Sequence, residues 1–351
     1  MKKVMHLIST DVFSGAENVA CQIINGFSKN NDYKMIYVSK LGSNKKCLED
    51  RSIPYYKLDK FNYKCIKKAV QDFKPDIIHA HDIKASIYAS LFYKQSKIVS
   101  HIHSNHENMR NFNFKPFLYN IVSNRFSKII WVSKSALNDY YYSNKVQQKS
   151  IVLYNVIDSK GISSKANQDK NQYSFDIIYL GRMVYAKNPI RLIKIVNEVI
   201  KKRPETTVAL VGTGELEQDV RKEIHEYNLE KNITLFGFQE NPYKILSSSK
   251  IMLMTSRYEG TPMCALEAIA CGVPIISTPT DGLKELIESG NDGFICYTDE
   301  EMVNTILKTL NDKKILRQLN SNMQNKNKQI NNFKQYINSI KTIYESKDVI
   351  V

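Results

Sequence analysis

The sequence predicts an α/β protein with two similar domains, each built on a parallel β-sheet. Short apolar runs recur along the chain, and each is followed by a polar or glycine-containing turn and a helical pattern. The runs are apolar at both odd and even positions, which is typical of strands buried on both faces of a parallel sheet. The 351 residues correspond to about two domains of roughly 150 residues each.

The predicted strands fall into two series. The first series comprises Val4–Ile8, Met35–Val38, Ile77–His79, Ile98–Ile102, Ile129–Val132 and Ile151–Tyr154. The second comprises Ile177–Leu180, Val208–Val211, Ile233–Phe236, Ile251–Met254 and Val273–Ile276. The polar segment 159–173 separates them without periodicity, so we expect a linker there. We therefore place the domains at residues 1–163 and 164–329 and expect the ligand in the cleft between them.

An amphipathic helix is predicted at the end of the chain, over residues 330–351. Its apolar residues recur at helical spacing and require a surface to pack on: Ile330, Phe333, Ile337, Ile340 and Tyr344.

Composition excludes several classes of protein. The chain is 42% hydrophobic and 24% charged, which is ordinary for a globular protein and excludes wholesale disorder, collagen and coiled coil. The formal charge is +15, and it is uneven: residues 1–160 carry 25 basic and 12 acidic side chains, a net charge of +13. This charge indicates an anionic partner or, equally, a solvated lysine-rich surface.

The cysteines and the apolar runs indicate a cytoplasmic protein. The six cysteines form no Cys-x-x-Cys pair and no disulfide-dense pattern, which favours a reducing compartment. The apolar stretch in the opening MKKVMHLIST is too short for a secretory signal, and we interpret this segment as the first strand. No apolar run approaches the roughly 18–20 residues that span a bilayer. We expect a soluble or peripheral protein.

The segment 256–278, SRYEGTPMCALEAIACGVPIIST, carries the most specific motif. Glu259 follows a predicted strand, and Pro262 suits the first turn of a helix that runs to about Ala270. The amides at such a helix start attract a phosphate. Glu259 and Glu267 flank this point, and their carboxylates can accept hydrogen bonds from sugar hydroxyls. The alternative is one loop acid and one solvated helix acid.

Two further segments follow predicted strands and precede helices. In LGRMVYAKN (180–188), Arg182 and Lys187 could clamp a diphosphate, or could be two exposed basic residues. In FSGAEN (13–18), Gly15 could let the backbone approach a ligand, or could simply follow the helix cap Ser14.

Histidines cluster in HAHD and SHIHSNH, at His79, His81, His101, His103 and His106. A metal site is the alternative to polar strand ends that contact substrate. No carboxylate or thiolate accompanies them at a recognised ligand spacing, and the chain contains no Asp-x-Asp, so we expect no metal. VGTGEL (211–216) is similar to a dinucleotide fingerprint, but Glu217 replaces its third glycine and it does not follow the first strand.

Taken together, these segments resemble glycosyltransferase family 4, whose members are retaining, nucleotide-sugar-dependent enzymes of the GT-B fold. That fold consists of two Rossmann-like domains with parallel sheets facing a central cleft. The resemblance extends from about residue 1 to 300 and is carried by SGAE, HAHD, SHIHSN, VSKSA, NVID, LGRMVYAKN, LVGTGEL, ITLFGF and EGTPMCALEAIACGVPII. Two departures are SGAE for the frequent GGAE, and Val156 where the family often has glycine.

The resemblance implies roles for individual residues. Arg182 and Lys187 would bind the diphosphate and stabilise the leaving group, Glu267 would hold the ribose, and Glu259 would contact the donor sugar. His103 would contact the donor sugar near the reacting carbon, and the terminal helix would cross back to the first domain. The remaining implied donor contacts are Gly15, Gly237, Phe238, Gln239, Gly260, Thr261, Met263 and Cys264.

The implied reaction is transfer of a hexose or N-acetylhexosamine with retention, from a UDP-sugar, by front-face substitution without a metal or other cofactor. The expected acceptor is a lipid-diphosphate-linked sugar or an oligosaccharide, as in capsule or exopolysaccharide assembly. Residues 110–128 mix aromatic and basic side chains and suit an anionic membrane surface at the inner face of the cell membrane, although core packing also explains the aromatics.

Two other functions remain as alternatives. A non-hydrolysing sugar-nucleotide epimerase shares the two-domain architecture. A nucleic-acid-binding protein would explain the charge, but no zinc finger, RNA-binding sheet motif or basic helix accompanies it, so we expect no nucleic acid partner.

Overall fold

The protein divides into two compact units. The computed structural model describes residues 1–28, 30–42, 44–103 and 109–346. The first unit comprises residues 1–155 and the chain from residue 334, and the second comprises residues 156–333. The division therefore falls at 155/156 and 333/334, whereas the sequence placed it at 163/164 and 329/330.

The first unit contains a parallel sheet in the order β3-β2-β1-β4-β5-β6-β7 within the described residues. Its strands are β1 (Lys2–Leu7), β2 (Tyr33–Lys40), β3 (Tyr55–Leu58), β4 (Ile77–Ala80), β5 (Lys97–Ile102), β6 (Lys128–Trp131) and β7 (Ser150–Val152). Its helices are α1 (Gly15–Gly26), α2 (Asn44–Asp50), α3 (Tyr63–Phe73), α4 (Ile83–Ala89), α5 (Phe114–Val122), α6 (Lys134–Asn138) and α7 (Ser143–Val146).

The second unit contains a parallel sheet in the order β10-β9-β8-β11-β12-β13. Its strands are β8 (Phe175–Leu180), β9 (Val208–Val211), β10 (Ile233–Gly237), β11 (Ser249–Met254), β12 (Ile275–Ser277) and β13 (Gly293–Ile295). Its helices are α8 (Ser159–Gln168), α9 (Pro189–Lys202), α10 (Glu217–Glu226), α11 (Tyr243–Ser247), α12 (Met263–Ala270), α13 (Asp281–Leu286), α14 (Asp299–Asn311) and α15 (Lys313–Ile330). The two-domain, parallel α/β prediction is confirmed.

Strands β3 and β13 are absent from the sequence prediction, and both lie at an edge of their sheet. The sequence of β3, YYKL, has one fully buried residue, and β13 has three residues, one of them Gly293. An edge strand pairs on one side only and needs no continuous apolar run, so the apolar pattern that reveals the central strands is missing.

The predicted linker is wrong over its first ten residues, which form α8. The Asp158 carboxylate caps this helix by accepting the Gly161 N–H at 3.1 Å. Ile162 and Ala166, one turn apart, are its buried residues. Two apolar residues are too few to produce a visible periodicity, and this is why the helix was not predicted.

The predicted terminal helix begins three residues later than expected. Ile330 is the last residue of α15, and a separate helix α16 (Phe333–Glu345) follows. Residues 347–351 of the prediction lie outside the described residues. The buried face of α16 is Tyr336, Ile340, Ile343 and Tyr344. This helix packs within the first unit, where the Tyr33 hydroxyl donates to Glu345 at 3.0 Å and the Tyr344 hydroxyl meets His79 Nδ1 at 2.7 Å.

Each unit has its own apolar core between its sheet and its helices. Trp131, Tyr119 and Tyr140 are the largest buried side chains of the first core. None of the helices in the described ranges is both long and apolar enough to cross a membrane.

Candidate active site

The segment from Glu259 to Cys264 lies between β11 and α12, at the carboxyl edge of the second sheet. Pro262 is the N-cap residue of α12 and not part of its first turn, since its backbone is extended (ψ 123°). Its carbonyl accepts the N–H of Ala265 at 3.1 Å, so the amides of Met263 and Cys264 precede the first hydrogen bond of the helix. Gly260, Thr261 and Met263 are buried, and Cys264 is half-buried.

Lys187 and Glu259 form an ion pair that the sequence did not predict. The Lys187 Nζ lies 2.5 Å from Glu259 Oε1, and the Ser256 hydroxyl donates to the same oxygen at 2.6 Å. Only 20% of the lysine side chain and 10% of the glutamate side chain are exposed. Burial lowers the pKa of Lys187, but the charge and hydrogen bond of Glu259 outweigh it and raise the pKa overall, so the lysine stays cationic.

Hydrogen bonds to backbone carbonyls of its loop hold this lysine against the end of β11. Lys187 ends a 3₁₀ turn, Tyr185–Lys187, after which Asn188 adopts φ +49° and α9 begins. The Thr255 hydroxyl donates to the Asn188 carbonyl at 2.9 Å, and the Arg257 N–H donates to the Ala186 carbonyl at 2.8 Å. The loops after β8 and β11 are therefore joined, and the proximity of Lys187 to Glu259 follows.

Arg182 and Glu267 lie on the same edge of the sheet. The Arg182 side chain is exposed, and its carbonyl accepts the Tyr179 hydroxyl at 2.7 Å. Glu267 lies one turn along α12, where the Tyr243 hydroxyl of α11 approaches its carboxylate at 3.4 Å. Burial raises the pKa of the Cys264 thiol to about 12, although Lys187 opposes the shift, so this thiol is neutral.

The glycines of VGTGEL have a steric role. A Cβ on Gly212, which adopts φ +131°, would lie 2.0 Å from the Gly181 carbonyl oxygen. A Cβ on Gly214 would lie 2.3 Å from the carbonyl oxygen of Met183. Both glycines make room for the loop that carries Arg182, and this contact explains a motif that resembles a dinucleotide fingerprint.

The predicted base-binding residues follow β10. Gly237 adopts φ +64°, and its carbonyl accepts the Gly212 N–H at 2.8 Å. Phe238 is exposed, and the Gln239 amide donates to the Phe236 carbonyl at 2.8 Å. The described residues at this edge thus present an exposed aromatic ring beside Gly237.

Gly282 is a further site residue, and sequence reasoning missed it. It lies in the first turn of α13, and its N–H donates to the Glu259 carbonyl at 3.3 Å. A Cβ at this position would lie 1.3 Å from the Gly260 carbonyl oxygen, which no side chain can tolerate. The sequence feature that could have indicated Gly282 is its position just after a buried strand, in STPTDG (277–282).

In the first unit, Gly15 is the first residue of α1 and Ser14 is its N-cap, as predicted. The buried carboxylate of Glu17 accepts the Ser14 N–H at 3.0 Å and the Ser14 hydroxyl at 2.5 Å, which completes a capping box. The Thr10 hydroxyl also donates to Glu17. Glu17 therefore fixes the loop that precedes Gly15.

Five histidines occupy one face of the first sheet at its carboxyl edge. Four of them were predicted. His79 lies in β4 and His81 follows that strand, and His101 lies in β5 and His103 follows it. The fifth, His6 on β1, was missed because a lone histidine in an apolar strand carries no motif. His106 lies outside the described residues.

The histidine rings contact one another directly. Nδ1 of His6 lies 2.9 Å from Nε2 of His81, and Nδ1 of His81 lies 3.0 Å from Nε2 of His103. Nε2 of His79 lies 3.2 Å from Nδ1 of His101. Burial lowers the pKa of all five rings, to about 3 for His6 and His103, so they are neutral near pH 7.

Two sets of three histidines bring one ring nitrogen each within 4.8 Å of the others, which is close enough to consider a metal. The sets are His6, His79 and His81, and His81, His101 and His103. In each set, two of the rings are already hydrogen-bonded to each other: His6 and His81 in the first set, and His81 and His103 in the second. The shared nitrogens are engaged in these hydrogen bonds, whereas His6 Nε2, His101 Nε2 and His103 Nδ1 have no partner among the described residues.

Two family models match consecutive parts of the chain. Glycosyltransferase Family 4 matches residues 13–160, and Glycosyl transferases group 1 matches residues 162–329. The chain belongs to glycosyltransferase family 4 and has the GT-B fold.

This family 4 chain is similar to proteins of bacterial polysaccharide synthesis. CapH of Staphylococcus aureus, a capsular polysaccharide biosynthesis glycosyltransferase, is 25% identical over 76% of this chain and 79% of its own. The N-acetylgalactosamine-N,N'-diacetylbacillosaminyl-diphospho-undecaprenol 4-alpha-N-acetylgalactosaminyltransferase of Campylobacter jejuni is 28% identical over 53% of this chain and 50% of its own. The chain spans about half the length of several curated relatives that it matches.

Among solved structures, Anabaena HepE in complex with UDP and glucose matches with a TM-score of 0.84 and 21% identity. The match covers 97% of this chain and 98% of HepE. At this identity the likeness establishes the shared fold.

We expect Gly282→Ala to destabilise the second unit of the family 4 chain by about 3 kcal/mol, because the new Cβ would displace the Gly260 carbonyl. Urea unfolding measures this loss. Gly290→Ala is the control: nothing lies within 4 Å of its Cβ position, and only the backbone strain of its positive φ (+87°), about 1 kcal/mol, is expected. Equal losses in the two variants would contradict the steric role of Gly282.

We also expect acid to destabilise the first unit through its histidines. An unfolded histidine takes up a proton below pH of about 6.5, whereas the buried rings stay neutral to much lower pH. The free energy of unfolding should therefore fall as pH falls from about 7 to 5, by up to about 1.4 kcal/mol per pH unit for each ring. The histidines should contribute no further change above pH of about 7. Urea unfolding at a series of pH values measures how the free energy of unfolding changes with pH. His6→Asn should reduce this change by the contribution of one histidine ring.

Proposed function

We propose that this glycosyltransferase moves a hexose or N-acetylhexosamine from a nucleotide sugar to a lipid-linked or oligosaccharide acceptor, with retention, in cell-surface polysaccharide synthesis. The observation that carries the proposal is the Lys187–Glu259 pair beside the amino end of α12. The pair supplies a cation that can bind a phosphate and a carboxylate that can accept hydrogen bonds from sugar hydroxyls. Their charged atoms lie 2.5 Å apart.

The reaction breaks the bond between the sugar C1 and the phosphate oxygen, and the electron pair leaves with the nucleoside diphosphate. Lys187 and Arg182 would stabilise that negative charge, together with the Met263 and Cys264 amides at the start of α12. The acceptor hydroxyl forms the new bond on the same face of the sugar. Its proton passes to the departing phosphate, so no protein nucleophile is required.

Uridine diphosphate is our proposed nucleotide. HepE, which shares the fold, binds UDP and glucose. We assign the ribose hydroxyls to Glu267 and the base to the exposed Phe238 and its neighbours Gly237 and Gln239. Phe238 offers an exposed ring for stacking, and Glu267 offers carboxylate oxygens as acceptors. The Gly260, Thr261, Met263 and Cys264 backbone would lie against the pyrophosphate.

From the first unit, we assign Gly15 and His103 to the donor, His103 near the reacting carbon. Family resemblance carries this assignment. The neutral state of His103, which burial imposes by lowering its pKa to about 3, suits a ring that exchanges a hydrogen bond with a sugar hydroxyl and does not protonate it.

The acceptor is proposed to be a lipid-diphosphate-linked sugar held at an anionic membrane surface, at the cytoplasmic face. Helix α5 carries an outward apolar stripe, defined here as Phe114, Phe117 and Ile121. Phe114 is 73% exposed, and Phe112 just before the helix is 70% exposed, whereas Tyr119 on the opposite face is buried in the core. Core packing therefore does not account for the outward aromatics.

Basic residues accompany this stripe. Lys115 and Arg125 are exposed, and Arg125 stacks over the Tyr93 ring at 5.1 Å. An exposed apolar stripe with cations beside it suits insertion into the interface of an anionic bilayer. The C. jejuni relative is named for a diphospho-undecaprenol-linked substrate, which supports an acceptor of this class.

A transfer assay with the full chain over a panel of nucleotide sugars and lipid-diphosphate-linked acceptors tests the proposal. We expect a glycosidic product with retained anomeric configuration, formed equally in the presence of EDTA. An epimerised nucleotide sugar without a glycosidic product would indicate an epimerase and overturn the proposal.

We expect Lys187→Ala to lower kcat about 100-fold, because the cation at the leaving phosphate is removed. Glu267→Ala should raise the donor KM about tenfold, through lost hydrogen bonds to the ribose. Steady-state transfer rates measure both. The matched controls are Lys222→Ala and Glu226→Ala, an exposed ion pair on α10 of the same unit, which should leave both constants unchanged. Wild-type rates in Lys187→Ala would contradict the assignment.

We expect the triple variant Phe114→Ser, Phe117→Ser, Ile121→Ser to float with anionic vesicles at least about tenfold less than the wild type, since apolar burial in the bilayer is lost. Binding of the wild type should also weaken at high salt. Tyr297→Ser, which removes an exposed aromatic of the second unit, is the control and should float normally. Equal flotation of triple variant and wild type would exclude the stripe.

A further inference from the structure

A groove lies at the carboxyl edge of the second sheet, and none of its lining residues is assigned to the donor. The loops after β8, β9 and β11 line it together with the first turns of α9. Its volume of about 550 Å³ is within the range of sites that bind small organic molecules. The side chains that line it indicate the class of molecule that it suits.

Three of the lining side chains are apolar or aromatic. Ile190 and Leu216 are half-buried, and the Tyr185 ring is 58% exposed. An inorganic ion gains nothing from apolar surface, whereas the C–H groups of a sugar ring can pack against it. This part of the groove therefore favours an organic ligand.

Three further lining side chains are cationic: Arg191, Lys194 and Arg257. The groove also adjoins the amino end of α9, where the helix dipole adds partial positive charge. Two carboxylates pair with these cations. Asp299 accepts from Arg191 Nε at 2.7 Å, and Glu223 lies 4.0 Å from Lys194 Nζ. The cations outnumber the carboxylates that pair with them, so the groove attracts an anion.

Arg257 is held in place without a carboxylate. Its guanidinium stacks over the Tyr185 ring at 4.3 Å, and its Nη2 donates to the Asn188 side chain at 3.4 Å. Its backbone N–H donates to the Ala186 carbonyl. Arg257 has no ion-pair partner in the described part of the chain. Its remaining N–H groups can therefore bind an anion with little further ordering of the side chain.

The number of cations distinguishes a phosphate from a carboxylate. A phosphate group has three terminal oxygens in a tetrahedral array and can accept from cations on several sides, whereas a carboxylate has two oxygens in one plane. The Lys194 side chain is 55% exposed, and its pairing with Glu223 at 4.0 Å is weak, so it can turn toward a ligand. The groove therefore suits a phosphate better than a carboxylate.

We propose that this groove is a binding site for a sugar phosphate, in which Arg257 and Lys194 hold the phosphate and the sugar ring packs against Ile190 and Leu216. The site goes beyond the proposed function and does not depend on it, although Arg257 lies close to Glu259 in the chain. Two sources share this ligand chemistry: a phosphorylated sugar residue of the acceptor, and a free sugar phosphate.

The test titrates the full chain, ¹³C-labelled at its isoleucine methyl groups, with glucose 6-phosphate and follows the NMR signal of Ile190. That signal is assigned by its loss in Ile190→Val. We expect it to shift and to saturate with a Kd on the order of 1 mM, because the groove is open to solvent and few groups hold the ligand. Inorganic phosphate, glucose and glucuronate should each bind at least about tenfold more weakly.

Arg257→Ala and Lys194→Glu should each raise this Kd at least about tenfold, since each removes a charge-assisted hydrogen bond. Both side chains are exposed, so both variants are expected to fold, and their methyl spectra check this. Lys201→Ala, which changes an exposed lysine of α9 outside the groove, is the matched control and should bind as the wild type does. Lys187→Ala should also keep the affinity, because the groove is separate from the donor site.

Transfer rates distinguish the two sources. If the acceptor supplies the sugar phosphate, Arg257→Ala should raise the KM of a phosphorylated acceptor about tenfold and leave the KM of the same acceptor without phosphate unchanged. If a free sugar phosphate is the ligand, glucose 6-phosphate should change the rate with the unphosphorylated acceptor, and Arg257→Ala should abolish that change. Either result supports a sugar phosphate in the groove.

An Ile190 signal that does not shift at about 50 mM glucose 6-phosphate would overturn the proposal. So would equal affinity for inorganic phosphate or glucuronate. A Kd that rises in Lys187→Ala and not in Arg257→Ala would place the sugar phosphate at the donor site and also overturn it. An Ile190 shift that depends on Arg257 and Lys194, in a protein that transfers no sugar from any donor, would support the groove and overturn only the proposed function.

Discussion

Every strand pairing in the two described sheets is parallel, and the rest of the structure depends on this constraint. In a parallel sheet all carboxyl ends meet at one edge, so the loops that follow the strands gather there. Lys187 and Glu259, 72 residues apart in the chain, pair at that edge because they follow the neighbouring strands β8 and β11. His6, His81 and His103 meet for the same reason at the ends of β1, β4 and β5.

The loops at these edges approach one another more closely than side chains allow. Gly212 accommodates the Gly181 carbonyl, and Gly282 accommodates the Gly260 carbonyl. The position of Glu259 is therefore set by backbone contacts from α13 as much as by its ion pair. A glycine with no chemistry of its own contributes to the geometry of the site, because the backbone groups it admits carry the functional side chains.

The two units stabilise buried polar groups in different ways. In the second unit, Lys187 and Glu259 compensate each other in an ion pair, with Ser256 as an additional donor. In the first unit, burial lowers the pKa of the histidines and leaves neutral rings that satisfy one another. The second unit therefore keeps an ion pair at the carboxyl edge of its sheet, and the first keeps neutral hydrogen-bonding rings there.

The sequence by itself determined the central strands, the cap of α1 at Ser14, and the acidic and basic residues of the second unit, since apolar runs, caps and glycine or proline positions are local patterns. Tertiary structure decided the rest. Contacts between residues distant in the chain decide the edge strands β3 and β13, helix α8, the partner of Lys187 and the place of His6 among the histidines. It also decided which aromatics of α5 face outward: Tyr119 enters the core and Phe114 does not, because only one side of the helix meets the sheet.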